Sequence, residues 1–303
     1  MANVLIALGS NLGDSTRIVR DAIAHVVQNC EIASFAASRL HQTRPVGGPT
    51  GQGAFVNAAL AGDTSLSPQA VLKRLQAIET QFGRERLERW GPRTLDLDLI
   101  LYDDWIEDEP GLTVPHPRMA WRRFVLEPAA EVAPRMVHPI FERCVAELKS
   151  RIDATTRPRV VVWADTLGEP GERREAFLSR LAKRLDDSAV FEVQTLESVE
   201  GSARHEKAGH AGVAQAPNLY IVGPAVPNPL YRIGRRRYAE NAETVGDTAP
   251  EVGDRRGWTQ KDRISCIVQR YRTTAPILVL PHDPGGDLGE WEHEIVAAVA
   301  SMR

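Results

Sequence analysis

Cysteine is scarce in this chain, with three among 303 residues. Cys30, Cys144 and Cys266 lie far apart, and no two of them have the CxxC spacing. An odd and scattered set excludes a disulfide framework and a zinc site built from cysteine pairs. We therefore expect a reducing compartment and predict that the protein is cytoplasmic.

Long apolar runs and an excess of charge of one sign are also missing. Residues 1–8 are apolar but short and carry no basic residue, so we interpret them as a buried first strand and not as a signal peptide. No apolar run approaches the ~20 residues that a membrane helix needs. The net charge is −3 and offers no basic surface for nucleic acid. These absences exclude membrane and nucleic-acid partners and favour a globular protein that acts on small molecules.

One strand of the sequence carries two aspartates. From residue 95 to 101 the pattern alternates, so that the four leucines share one face and Asp96 and Asp98 share the other. Same-face neighbours lie roughly 6.5–7 Å apart, and two carboxylates at that spacing repel unless a cation lies between them. Magnesium binds one or two carboxylates and takes phosphate oxygens as further ligands. Arg89 and Arg93 precede the strand and can bind the same phosphates. The pattern predicts a nucleotide–metal site.

The first half of the chain alternates between strand and helix patterns. Strands are predicted at residues 4–8, about 32–41, 55–61 and 95–101, and helices at about 15–29 and 67–83. Asp14 or Ser15 is the N-cap of the first helix, and Ser67 with Pro68 begins the second. This β-α-β-β-α-β order is typical of a ferredoxin-like α+β fold, an antiparallel sheet with flanking helices.

Four separated motifs make the first half recognisable. They are ALGSNLG at residues 7–13, FVNA at 55–58, the run from Trp90 to Asp98, and VPHPR at 114–118. In this combination and order the chain resembles the 6-hydroxymethyl-7,8-dihydropterin pyrophosphokinases over about residues 3–148. The resemblance implies a transferase of folate biosynthesis that moves pyrophosphate from ATP to the pterin alcohol and releases AMP. It also implies two magnesium ions at Asp96 and Asp98.

The resemblance further implies a set of nucleotide-binding, catalytic and pterin-binding residues. The residues expected to be catalytic are Arg84, Arg93, Asp96 and Asp98. Those expected to bind ATP are Gln76, Glu79, Arg86, Trp90, Arg93, Thr113, His116 and Arg122. Those expected to bind the pterin are Thr43, Pro45, Val46, Phe55, Asn57, Trp90 and Phe124. Arg123, next to Arg122, is expected to be solvated.

A binding role for Asn57 can also be argued from its own sequence surroundings. It stands inside an apolar strand, where a buried amide must find hydrogen-bond partners. Two interpretations are open: neighbouring backbone satisfies the amide, or the amide recognises the edge of a flat pterin ring. The loops at residues 43–53 and 84–89 are likewise either solvated connectors or mobile lids over the substrates, and we favour lids.

The second half has a different organisation. Residues 1–150 are predicted to form the pyrophosphokinase domain, 151–158 a linker and 159–303 an α/β domain with a parallel sheet. The last of these resembles a deoxynucleoside kinase with a degenerate P-loop fold. Glu172 and Arg173 replace the Lys-Ser/Thr pair that a phosphate loop needs. All motif residues precede Ser150, so we expect truncation there to leave an active enzyme.

Two other functions compete with pyrophosphate transfer. The first half could be a non-catalytic binding module that kept its shape, and the second half could be a nucleoside kinase. The presence of Asp96, Asp98, Arg93 and His116 opposes the first alternative, because a retired site should have lost at least one of them. The missing phosphate-loop lysine opposes the second alternative.

Overall fold

The computed structural model describes residues 1–47, 49–84, 91–109, 111–154, 158–163, 171–185, 188–194, 219–222, 277–279 and 289–302. The chain divides into two compact units. The first comprises Met1–Pro158 together with Ile295–Arg303, and the second comprises Arg159–Glu294. Residues from Ile295 onward, which the sequence analysis assigned to the second domain, thus group with the first unit.

The first unit contains most of the described helices and strands, which are numbered here in chain order. Its sheet and the helices between the strands are β1 (Ala2–Ser10), α1 (Ser15–Asn29), β2 (Ala33–Ala37), β3 (His41–Thr43), β4 (Phe55–Thr64), α2 (Pro68–Gln81) and β5 (Asp96–Tyr102). The elements that follow are β6 (Glu107–Glu109), β7 (Leu112–Val114), a 3-10 helix (Met119–Trp121), α3 (Arg123–Val132), β8 (Val137–His138), β9 (Arg143–Cys144) and α4 (Val145–Asp153).

The main sheet has the order β2-β4-β1-β5, with β3 also paired to β4, and all neighbours are antiparallel. Helices α1 and α2 each connect two strands that enclose a third between them, which is a split βαβ arrangement. The predicted antiparallel α+β architecture of the first half is confirmed. The predicted second strand is divided into β2 and β3, and the pairing of β2 shifts register between Ala33 and Ala36.

One face of this sheet forms the hydrophobic core with α1 and α2. The core contains Val4, Ile6, Leu8, Val19, Ala22, Val26, Leu60, Val71, Leu75, Ile78, Leu97 and Leu99. Burying one large aliphatic side chain stabilises a fold by roughly 1.5–3 kcal/mol. The predicted caps are confirmed, since Asp14 accepts a hydrogen bond from the Arg17 amide and Ser67 accepts one from the Ala70 amide.

Strand β5 contains a bulge that the alternating pattern did not predict. Leu99 pairs with Ile6, but Leu101 pairs with Leu5, so that Ile100 is one residue extra. Leu5 and Ile6 point to opposite faces because they are consecutive in β1. Leu101 therefore lies on the face opposite Leu99, and its predicted place beside the other leucines is wrong. An inserted residue reverses the alternation after it.

The second unit is described at its strands and at two helices. These are β10 (Arg159–Trp163), α5 (Glu172–Leu185), β11 (Val190–Gln194), β12 (Leu219–Val222), β13 (Ile277–Val279) and the beginning of α6 (Gly289–Ser301). The strands pair in the order β11-β10-β12-β13, all parallel, as the α/β pattern predicts. β11 was not predicted. The segment 164–170, which contains most of the degenerate phosphate loop, lies outside the described residues. None of the helices described in either unit is long and apolar enough to cross a membrane.

Candidate active site

The register of three neighbouring strands places an amide and a carboxylate in one row. Gly9 of β1 is paired with Asn57 of β4 on one side and with Asp96 of β5 on the other. Directly opposed residues share a face of the sheet, so the two side chains project the same way. A Cβ atom on Gly9 would lie only 3.1 Å from Asn57 Oδ1. The glycine therefore keeps the strand between the amide and the carboxylate free of a side chain.

The next row on this face carries the second aspartate. Ala7 is paired with Ala59 on one side and with Asp98 on the other. The two aspartates therefore stand beside small residues, on the face opposite the leucine-rich core. The side chains of Asp96 and Asp98 are 21% and 36% exposed, so both carboxylates are partly exposed on this face.

Two arginines hold the Asp96 carboxylate. Arg93 Nη1 lies 2.6 Å from Oδ2, and Arg84 Nη2 lies 2.7 Å from Oδ1. Arg84 also forms an ion pair with Glu79. Three of the four residues predicted to be catalytic are thus joined in one network, and its two guanidinium groups balance the charges of Asp96 and Glu79.

Glu79 connects helix α2 to strand β5. Its side chain is 5% exposed, and Oε1 accepts a hydrogen bond of 2.7 Å from the Leu97 amide, between the two aspartates. Burial raises the pKa of Glu79 to about 6, against the opposing effects of the Leu97 hydrogen bond and of Arg84. This contact fixes the part of β5 that carries both carboxylates.

Asn11 fixes the backbone of Arg93. The backbone N–H of Arg93 donates to Asn11 Oδ1 at 2.8 Å, and the backbone N–H of Asn11 donates to the Arg93 carbonyl at 3.1 Å. Asn11 Nδ2 also donates to Gln52 Oε1, in the loop between β3 and β4. Asn11 therefore links the turn after β1 to the arginine that precedes β5.

His116 lies beside the second aspartate. Its Nε2 is 3.9 Å from Asp98 Oδ2, and its Nδ1 accepts a hydrogen bond from the Arg118 amide at 3.2 Å. Burial, together with the charges of Arg122 and Arg118, lowers the pKa of His116 well below 6.5. The ring is neutral at pH 7, and because Nδ1 is an acceptor the proton is assigned to Nε2. His116 thus offers a neutral N–H donor next to Asp98.

The amide of Asn57 is held by a threonine. Asn57 is 6% exposed, and its Nδ2 donates to Thr43 Oγ1 at 2.8 Å. The partner is a side chain on β3 and not neighbouring backbone. Phe55 pairs with Thr43 across the same two strands, and the Arg122 guanidinium lies 5.3 Å from the centroid of the Phe124 ring. The latter contact is a cation–π interaction.

Comparisons with known proteins identify the arrangement. The profile of the 7,8-dihydro-6-hydroxymethylpterin-pyrophosphokinase (HPPK) family matches residues 5–134. The 2-amino-4-hydroxy-6-hydroxymethyldihydropteridine pyrophosphokinase of Synechocystis is 41% identical over 151 residues, which are 50% of this chain and 76% of that protein. The enzyme of the same name from Pseudomonas aeruginosa is 44% identical over 136 residues, which are 45% of this chain and 83% of that protein. The chain belongs to the HPPK family.

HPPK membership confirms the resemblance drawn from the four motifs. The matched residues extend from β1 to just past the end of α3 and include both aspartates and His116. A Plasmodium falciparum HPPK-DHPS structure aligns with 63% of this chain and with 56% of its own length, at a TM-score of 0.40 and 11% identity. The resemblance of the second half to a deoxynucleoside kinase stays a prediction.

The remaining residues predicted from the HPPK resemblance fall into two groups. Gln76 is exposed on α2, Thr113 is half-buried in β7, and Pro45 and Val46 are half-buried after β3. Arg86 and Trp90 lie outside the described residues, as does Arg89. The roles assigned to these residues, and the prediction that the two loops are lids, stay predictions.

Sequence reasoning overlooked one arginine near the HPPK site. Arg123 was expected to be solvated, but its side chain is 25% exposed and binds Asp153 and the carbonyl of Met302. These partners lie 30 and 179 residues away along the chain. No local pattern could have indicated them. Asn11, in contrast, belongs to the first motif, and its polar side chain between Ser10 and Leu12 was the available signal.

Proposed function

We propose that this chain transfers pyrophosphate from ATP to 6-hydroxymethyl-7,8-dihydropterin and releases AMP, a step of folate biosynthesis. The observation that best supports this reaction is the row of Asn57, Gly9 and Asp96 across three neighbouring strands. The row places Asn57, which suits the amide-like edge of a ring, and Asp96, which suits metal and phosphate, on the same face of the sheet with one strand between them. The names of the relatives from Synechocystis and Pseudomonas aeruginosa support the same reaction.

The two aspartates suit magnesium. They supply oxygen donors from one face of β5, and the residues beside them on β1 are an alanine and a glycine. Among the described residues no group of three or more histidine, cysteine or acidic side chains is arranged to hold a metal. Magnesium bound to one or two carboxylates usually takes phosphate oxygens and water as its remaining ligands. We propose that Asp96 and Asp98 hold two Mg²⁺ ions together with ATP. When bound, magnesium neutralises phosphate charge and orients the phosphates.

The arginines and His116 supply the rest of the phosphate site. Arg84 and Arg93 are paired with Asp96 in the free protein, and a polyphosphate offers the same guanidinium groups stronger bidentate partners. Arg84 keeps Glu79 as a second partner when it turns to phosphate. His116 donates its Nε2 proton without adding charge. Phosphoryl-type transfer depends on positioning and charge neutralisation, which these groups provide.

The pterin site follows from the orientation of one amide. Because Asn57 donates to Thr43, its Oδ1 and its second N–H remain for the donors and acceptors of the ring edge. Phe55 and Phe124 provide aromatic surface for the flat ring. The pterin hydroxyl oxygen then forms a bond to the β-phosphorus of ATP, and the bond from that phosphorus to the α–β bridging oxygen breaks. AMP leaves with the electron pair, and the hydroxyl proton passes to Asp98 or to solvent.

The test is which nucleotide is released. The full chain is incubated with magnesium, the pterin alcohol and ATP labelled in the β-phosphate, and the products are separated. Pyrophosphate transfer predicts AMP and label on the pterin. A nucleoside kinase would instead give ADP with a deoxynucleoside, and a binding module would give neither. Asp96→Asn is the inactive control, and Asp21→Asn, an exposed carboxylate on α1, is the control for the substitution itself.

A further inference from the structure

The last described residues of the chain are bound by a single arginine of the first unit. Arg123 is the first residue of α3. Its Nε donates to the Met302 carbonyl at 3.0 Å and its Nη2 to the Ile152 carbonyl at 3.3 Å. Its Nη1 lies 2.6 Å from Asp153 Oδ1 and 3.3 Å from Glu127 Oε1. The guanidinium therefore joins three separate parts of the first unit.

Two of these partners are carbonyls at helix ends. Ile152 lies at the end of α4, and Met302 follows the last residue of α6. The final carbonyls of a helix have no partner within it, and a cation placed there also interacts favourably with the helix dipole. Arg123 thus caps α4 and α6 at once, which a single ammonium group could not do with the same geometry.

The residues from 295 to 302, named here the C-terminal segment, are also buried. Ile295, Val299 and Met302 are 0%, 1% and 4% exposed. Ser301 Oγ donates to the Ala298 carbonyl at 2.7 Å and lies 3.5 Å from the carbonyl of Trp121, which is itself 1% exposed. The C-terminal segment groups with the first unit. Its contacts with Arg123 and with the Trp121 carbonyl therefore lie within one unit.

The point of attachment is next to the proposed substrate site. Trp121 and Arg123 come directly before and after Arg122, which was predicted to bind ATP. The next residue is Phe124, which was predicted to stack on the pterin. The Arg122 guanidinium lies over the Phe124 ring. The Trp121 carbonyl and the Arg123 side chain, which come directly before and after Arg122 in the chain, are thus both in contact with the C-terminal segment.

We propose that the C-terminal segment is a positioning element of the pyrophosphokinase site. It holds, through Arg123 and Trp121, the turn that presents Arg122 and Phe124 to ATP and pterin, and in this respect the inference rests on the proposed function. The family match ends at residue 134, so the segment lies outside the matched region. Residues 295–302 thereby make the site of this chain depend on a part that lies beyond the family region.

The test compares two neighbouring substitutions in the full chain. Val299→Asp places a carboxylate at a buried position and should release the C-terminal segment. Ala300→Asp adds the same charge at an exposed position of the same helix. We expect Val299→Asp to raise KM for ATP at least fivefold with kcat within about twofold of wild type, whereas Ala300→Asp leaves both unchanged. Hydrogen exchange at residues 119–126 should quicken in the first variant alone.

Arg123→Gln and Arg123→Lys complete the test if Val299→Asp does not fold. Both should raise KM for ATP, Gln more than Lys, because Lys retains the charge but not the three-way geometry. A lower thermal midpoint with wild-type KM and wild-type exchange at residues 119–126 would overturn the proposal, since the segment would then serve stability alone. If the wild-type chain itself forms no AMP, the proposed function has failed, and the exchange comparison still decides whether the segment holds this turn.

Discussion

Several side chains of the candidate site are held in place by other residues of the site. Arg84 and Arg93 hold both oxygens of Asp96, Asn11 holds the backbone of Arg93, and Thr43 orients Asn57. The types and approximate positions of these side chains could be predicted from motifs. Their pairings could not, because each depends on the register of strands that are distant in sequence.

Arg93→Ala should slow the chemical step more than it weakens ATP binding. A guanidinium directed at the transferring group gains strength as charge shifts, so its loss should lower kcat by on the order of 100-fold with a smaller rise in KM. Steady-state kinetics with varied ATP measures both. Arg93→Lys, which keeps the charge without the fork, should lie between wild type and Ala. An effect confined to KM would contradict this role.

Thr43→Val should weaken pterin binding selectively. The change removes the acceptor for Asn57 Nδ2, and losing one such hydrogen bond corresponds to about 0.5–1.5 kcal/mol, or roughly a 2–12-fold rise in KM for the pterin. KM for ATP should stay within twofold of wild type. Thr43→Ser keeps the hydroxyl and should behave like wild type. Equal effects of Val and Ser on pterin KM would show that the hydrogen bond does not orient the amide.

At the scale of elements, the contact between α2 and β5 determines how the aspartate strand is held. The N-caps of α1 and α2 were predictable, since an N-cap side chain bonds a backbone N–H only three positions further along the chain. The bulge at Ile100 was not predictable, because it depends on pairing with β1. Glu79 shows the same limit: the HPPK resemblance predicted that it binds ATP, but not that it accepts a hydrogen bond from the Leu97 amide.

Glu79 should give the first unit a pH-dependent stability. Its pKa is raised from 4.5 to about 6 in the folded protein, so between those values the folded state keeps a proton that the unfolded state loses. The contribution of Glu79 to stability is therefore most favourable below pH 4.5 and declines as pH rises to about 6. The total decline is on the order of 2 kcal/mol.

Glu79→Gln should remove this decline while keeping an acceptor for Leu97. Urea unfolding of wild type and variant at pH 4.5 to 7 measures the difference in unfolding free energy. The difference should change across this window in favour of the variant at higher pH. Glu31→Gln, at an exposed glutamate, is the control for the substitution itself. A pH-independent difference for Glu79→Gln would mean that its carboxyl titrates as it does in the unfolded chain.

At the scale of the whole molecule, the sequence locates the functional half but not its full extent. The polar stretch at residues 151–158 indicated a division, and the motifs before it indicated where the chemistry lies. Packing adds two parts that no motif marks. Ile152 and Asp153, which lie in the predicted linker, bind Arg123, and residues 295–302 group with the first unit. The reason is physical: the carbonyls at a helix end accept hydrogen bonds from whichever donor lies near in space, however distant it is along the chain.

Truncation should therefore depend sharply on where the chain is cut. The motif positions alone predict that residues 1–150 suffice, but this cut removes Ile152, which is 6% exposed, and both α4 partners of Arg123. A cut after Ala154 keeps them. Losing about 2 kcal/mol from a unit of this size lowers the thermal midpoint by about 4–8 °C, which is the difference we expect between the two products.

Calorimetry of the products ending at Ser150 and at Ala154, beside the full chain, measures this dependence. Both shortened chains should show a higher KM for ATP than the full chain, because both lack residues 295–302. The shorter one should also unfold at the lower temperature. Equal midpoints and wild-type KM in both would return the pyrophosphokinase unit to residues 1–150. The two contacts of Arg123 would then be packing that neither stability nor substrate binding requires.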